Sequence, residues 1–211
     1  MLIDSLGLPQ DEGATDKMDS ARLAGMMAIV NHPLTPDLTS YVIGNLAVRH
    51  PQEVPSNNPL NFTRDQLMCL VAGLRKQGHL EACRALYEAA KTRGWFAQNS
   101  EADHPGTVKK FPNGRDYLSP SNRMVLAICA GHKGNIIGYA WLAMDLAYNA
   151  IITPTREPNQ LLAQLSVVSP KWTKAYKLMT PKWREAIRGY WSGWRKEPAL
   201  AEILVTHFEG V

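Results

Sequence analysis

Apolar side chains recur along this chain at three- and four-residue intervals, the spacing that gathers them on one face of an α-helix. Leu67, Leu70, Val71 and Leu74 form one such stripe, and Leu80, Cys83, Leu86, Tyr87 and Ala90 form a second. Gly78 and Gly94 follow them, where glycine can end a helix in the left-handed conformation without a Cβ clash. Starts are marked as clearly as stops. A hydroxyl residue precedes proline at Thr35-Pro36, Ser119-Pro120, Thr153-Pro154, Ser169-Pro170 and Thr180-Pro181. In each pair the hydroxyl can cap a free backbone N–H, while proline at the first helical position sacrifices no hydrogen bond. Thr63-Arg64-Asp65-Gln66 has the capping-box arrangement, with Asp65 in the first turn, where the helix dipole favours an anion.

These signals predict helices over 17–31, 36–49, 64–77, 79–93, 120–130, 135–151, 158–167, 170–179, 181–194 and 198–208. No segment alternates apolar and polar residues for long, so strands are at most incidental. The expected fold is all-α, about ten helices in antiparallel succession. Residues 1–15 read as an N-terminal extension and 16–211 as one helical domain. One long connection interrupts it, Trp95 to Leu118, and a connection of that length inside a domain is usually functional or disordered. The apolar run from Ile136 to Ile152 carries Asp145 and Asn149, which favours a buried core helix over a membrane span.

Cysteine usage and charge narrow the setting. Cys69, Cys83 and Cys129 are odd in number, widely spaced and set in apolar helical surroundings, the pattern of reduced thiols in a cytoplasmic protein. The formal net charge of +4 is unevenly spread. Between Pro170 and Glu197 eight bases face two acids, a local balance of +6 interleaved with Trp172, Tyr176, Trp183, Tyr190, Trp191 and Trp194. Basic residues among aromatics can hold single-stranded nucleic acid, although the helical spacing of these aromatics points more often to core packing.

Candidate chemistry gathers at helix starts. Asp19 and Arg22 lie three apart, on one helical face, and Arg64, Asp65 and Gln66 open another helix. The ordinary explanations are an exposed ion pair and simple capping. If the two starts meet, however, Asp19 and Asp65 form a carboxylate pair able to serve as general acid and base, each tuned by an arginine neighbour. For a glycoside hydrolase, carboxyl groups about 5 Å apart imply retention of configuration and about 6.5–9.5 Å inversion. The long connection adds Trp95, Asn99 and Asp103, a mix suited to a polyhydroxylated ligand, and Gln160 supplies a further amide. Histidines are dispersed and no phosphate loop or nucleophile elbow is present, so neither a metal nor a nucleotide cofactor is expected.

The run Asp19-Ser20-Ala21-Arg22 with Gly25, then Arg49-His50-Pro51, Asn61-Phe62-Thr63-Arg64-Asp65-Gln66, Gln98-Asn99, Asn159-Gln160-Leu161 and Tyr190-Trp191-Ser192-Gly193-Trp194-Arg195, resembles an uncharacterised all-helical family of phage and bacterial proteins. The placement of polar residues at successive helix starts is similar to that of the (α/α)-toroid proteins, many of which cleave polysaccharides. With ten helices rather than twelve, that likeness implies an open or incomplete toroid. The resulting expectation is a glycan-directed protein, with Asp19 and Asp65 catalytic and Arg22, Arg64, Gln66, Trp95, Asn99, Asp103 and Gln160 binding the substrate. The alternative is a non-enzymatic assembly protein, or one that contacts nucleic acid through residues 170–197.

Overall fold

The helix starts at Arg64 and Pro120 and the helix ends before Gly78 and Gly94 fall where capping chemistry puts them. The computed structural model describes residues 2–10, 20–51, 62–97, 117–151, 164–167 and 202–203. Among these are five α-helices: α1 (Ser20–Ile29), α2 (Arg64–Lys76), α3 (Leu80–Thr92), α4 (Pro120–Cys129) and α5 (Ile136–Ile151). At the start of α2, the Gln66 side chain accepts the Thr63 backbone N–H at 3.1 Å. At the start of α4, Ser119 Oγ accepts the Asn122 N–H at 3.3 Å and Pro120 takes the first helical position. Gly78 and Gly94 both have positive φ, the conformation that releases the chain after α2 and α3.

The expected helix over 36–49 is absent. The Asp37 side chain accepts the Thr39 N–H and starts a single 3-10 turn, Leu38–Tyr41. Val42–Ile43 (β1) and Leu46–Ala47 (β2) then pair as an antiparallel hairpin, Val42 opposite Ala47 and Ile43 opposite Leu46. Two β-branched residues followed by Gly44, which sits at φ +63, favour a tight hairpin over continued helix. A second small hairpin pairs Leu2–Ile3 with Pro9–Gln10. Its Leu8 is buried in the main core, so residues 2–10 belong to the folded body.

Helices α1 and α2, the first and third in the expected alternating succession, run the same way. Arg22 meets Asp65 near their starts, Gly25 meets Cys69 and Gly73 further along, and Gln77, just past the end of α2, donates to the Pro36 carbonyl beyond the end of α1. The excursion through the 3-10 turn and hairpin carries the chain back before α2 begins. After a tight turn α3 reverses, with Cys83 Sγ against the Val71 carbonyl. Then α4 reverses again: Leu118 donates to the Trp95 carbonyl at one end, while Arg84 reaches the Ala130 carbonyl at the other. The starts of α1, α2 and α4 therefore share one end of the molecule with the end of α3.

The core lies between these helices and includes Met26, Met27, Tyr41, Phe62, Leu67, Leu70 and Val125, joined by Leu165 and Ile203 from the later chain. Cys69, Cys83 and Cys129 are free and buried in it. The expected burial of α5 is not observed: Ile136, Ile137, Tyr139, Trp141 and Met144 are exposed while Leu142 is buried. This helix packs chiefly on α4, which covers only one side. Among the described residues no helix is long and apolar enough to cross a membrane. The helices expected at 170–179 and 181–194 lie outside the described residues, as do most of those at 158–167 and 198–208.

Candidate functional site

The shared end of α1, α2 and α4 collects an unusual amount of buried polarity. Ser20 opens α1 and its hydroxyl lies 2.7 Å from the Tyr41 hydroxyl, both residues being fully buried. Burial raises the Tyr41 phenol well above its ordinary value, so it stays protonated and able to donate. One residue on, the Ala21 N–H donates to the Arg49 carbonyl at 3.1 Å, which brings the buried Arg49-His50 pair against the first turn of α1. His50 Nε2 lies 2.7 Å from Asp4 Oδ2, while Asp4 Oδ1 accepts the N–H groups of Leu6 and Leu8. Burial pushes the Asp4 carboxyl upward, but these backbone donors and the His50 contact outweigh it and hold the group below the usual carboxylate value.

Arg22 from α1 and Asp65 from α2 meet, while the expected Asp19–Asp65 pairing lies outside the described residues. Arg22 is 3% exposed, and its Nη1 lies 3.4 Å from Asp65 Oδ2. Thr63 Oγ1 donates to Asp65 Oδ1 at 2.6 Å. Burial raises the Asp65 carboxyl, yet the Arg22 guanidinium and the Thr63 hydroxyl together carry it below its ordinary value. Asp65 is thus an ionised group at neutral pH, able to accept a proton or stabilise a cation but not to donate a proton. Gln66 is buried beside it and Arg64 is half-buried at the first position of α2. Asp19, Asn99, Asp103 and Gln160 lie outside the described residues, and so does the basic stretch 170–197.

Trp95 stands where α3 ends. It has φ +69, a conformation that is rare for a bulky residue and costs about 1–3 kcal/mol. Three backbone ties hold it there: its N–H donates to the Ala90 carbonyl, its carbonyl accepts from Leu118, and Phe96 bridges Tyr117. The indole meets the Tyr87 ring edge-on at 5.6 Å, and the Arg123 guanidinium lies over it at 5.2 Å. A cleft of about 330 Å³ opens here between α3, α4 and the start of α5, with Tyr87, Trp95, Arg123, Met124, Lys133 and Asn135 in its wall.

Sequence reasoning pointed to Arg22, Arg64, Asp65, Gln66 and Trp95, and all five lie at or beside the common end. It did not single out Asp4, Tyr41, Arg123, Lys133 or Asn135 as functional. Arg49-His50 stands out in the sequence only as part of a short motif. Among the described residues no group of three His, Cys, Asp or Glu side chains is placed to hold a metal ion. No family model matches the sequence, and no curated protein or solved structure is detectably similar to it.

Proposed function

We propose that this is a glycan-directed protein that grips a polyhydroxylated, negatively charged polymer at the common end of α1, α2 and α4. One observation supports this above the others. Each of the three helices carries an arginine in its first turn, Arg22, Arg64 and Arg123, where the helix dipole disfavours a cation by about 0.3–1 kcal/mol. The single acid in these first turns is Asp65, which pairs with the buried Arg22, while Arg64 and Arg123 lie nearer the surface. A face built against its own dipoles in this way is suited to an anionic ligand. Beneath it, the buried hydroxyls of Ser20 and Tyr41 and the Gln66 amide hydrogen-bond within the fold and hold the helix starts in place.

If the protein also cleaves its ligand, the protonation state of Asp65 divides the labour. Asp65 is the ionised partner, acting on the anomeric carbon as nucleophile or through an activated water, and Asp19 is the acid that protonates the departing glycosidic oxygen. The test is a panel of acidic and neutral bacterial polysaccharides, scored for binding and for newly formed reducing ends, with Asp65→Asn alongside. Cleavage that disappears in Asp65→Asn while binding persists supports an enzyme, and binding without cleavage supports a recognition module. No binding to any member of the panel overturns the proposal.

A second reading, a non-enzymatic assembly protein, is favoured by the exposed apolar side chains of α5. A mass in solution that stays monomeric across concentration counts against it.

A further inference from the structure

We propose that the cleft between α3, α4 and the start of α5 is a subsite for a carboxylated sugar residue, whose carboxylate sits between Arg123 and Lys133 and whose ring packs on the wall formed by Tyr87 and Met124. This rests on the glycan reading and narrows it to acidic sugars. The cleft volume of about 330 Å³ is at the lower end of the roughly 300–1,000 Å³ typical of small-ligand sites. Two cations face it, and no carboxylate lines it among the described residues.

Arg123 is held in place and has no carboxylate partner among the described residues. Its Nε donates to the Leu118 carbonyl at 2.9 Å and its Nη2 contacts the Tyr117 hydroxyl, so the fork is oriented while Nη1 has no protein acceptor among the described residues. Burial lowers its pKa, the signature of a cation that an incoming anion would stabilise. Lys133 is exposed and makes no ion pair among the described residues, which leaves its ammonium available to the same anion. Asn135 uses its side-chain oxygen to accept the Gly138 N–H at 2.7 Å and retains its NH₂ for a sugar hydroxyl.

The aromatic geometry separates a sugar from a nucleobase. A base is usually held by a free ring face, yet Arg123 covers the Trp95 ring and the Tyr87 ring crosses Trp95 at 66°. Tyr87 also lies against His132, centroid to centroid 4.6 Å. What remains is an irregular wall of ring edge, thioether and methyl groups, adapted to the C–H face of a pyranose.

Titration calorimetry of the full chain tests this, using oligosaccharides of galacturonate, glucuronate and mannuronate as free acids and as methyl esters, with oligothymidylate in parallel. At least one acid is expected to bind tenfold or more tightly than its ester. Lys133→Gln, at an exposed position, is expected to narrow that ratio several-fold and leave the ester unchanged, and Arg123→Lys to narrow it while the melting temperature is monitored. Equal binding of acids and esters overturns the carboxylate subsite and the anionic selectivity of the face, and leaves glycan binding itself standing. Binding of no oligosaccharide overturns both. Oligothymidylate binding that Lys133→Gln weakens, without sugar binding, assigns the cleft to nucleic acid and likewise overturns the proposal.

Discussion

Gly25→Ala isolates the contact on which the common end depends. A Cβ at this position would stand 2.4 Å from the Cys69 carbonyl oxygen, 2.5 Å from its carbon and 2.8 Å from the Leu70 nitrogen. All three obstacles are backbone atoms inside α2, so no side-chain rotation can relieve them. Gly73 faces the same seam, with the Gly25 Cα and carbonyl oxygen each 2.9 Å from where its own Cβ would be. Ordinary Cβ contacts begin near 3.4 Å, so α1 must retreat by about 1 Å, the difference between 3.4 and 2.4 Å. Overpacking of this kind costs about 1–3 kcal/mol, and rigid obstacles place it toward the upper end. At an unobstructed helix position the same change would be worth about 1 kcal/mol in the opposite direction, so the sign of the effect decides the matter. At about 2–4 °C per kcal/mol for a chain of this size, the melting temperature should fall by roughly 4–12 °C. Thermal unfolding followed by circular dichroism reads this directly. A melting temperature that is unchanged or higher would refute the parallel close packing of α1 on α2.

The remaining expectations concern the buried thiols, the buried hydroxyl pair and the basic tail. Burial pushes the Cys83 thiol up to about 12 and Cys129 higher still, so a thiol-specific disulfide reagent at pH 8 should find these cysteines inert in the native protein and titrate three per chain after denaturation; rapid native labelling would contradict their burial. Tyr41→Phe leaves the Ser20 hydroxyl without its 2.7 Å partner in a fully buried position and should cost about 1–2 kcal/mol by urea unfolding, whereas a neutral effect would mean the pair is dispensable. If residues 170–197 bind nucleic acid, single-stranded DNA should be retarded at low salt and released steeply as salt rises; no retardation at low salt removes that function.

Legibility followed the range of each signal along the chain. Helices α2, α3 and α4 fall within a residue or so of their expected bounds, because caps and terminating glycines act within one turn. The segment 36–49 was misread because Thr35-Pro36 is a strong local start signal. The Asp37 cap, the Val42-Ile43 pair and Gly44 together overrode it. The parallel course of α1 and α2 follows from any single reversal between them, and the 3-10 turn and hairpin supply that reversal in place of the expected helix. Within the site, Arg22, Asp65 and Trp95 were visible as polar or aromatic residues at helix ends. The Asp4–His50 contact spans 46 positions and has no local signature, and Tyr41 is 21 positions from Ser20. Arg123 and Lys133 become a pair only when α4 and the start of α5 fold against each other.

Asp65→Asn separates the structural from the chemical role of the acid at this end. In the fold its carboxyl lies below the ordinary value, so its stabilising contribution is complete above the unfolded pKa of about 3.9 and is lost as pH falls through the lower folded value. The amide cannot titrate, so the variant should be less stable than the parent at pH 7 and approach it as the pH drops below 4. Because Arg22 is buried and the Asp65 side chain only 28% exposed, the loss at pH 7 should be about 2–4 kcal/mol. The same substitution removes the one negative charge from the first turns of the three helices and makes the face more positive. Affinity for an acidic glycan should therefore hold or rise in Asp65→Asn at temperatures where it remains folded, while any cleavage stops. Measuring unfolding and binding together from pH 3 to 8 makes the two effects independent. A variant that keeps its fold but loses both affinity and cleavage would show that Asp65 contacts the ligand as a binding group, and the electrostatic account of this face would fail.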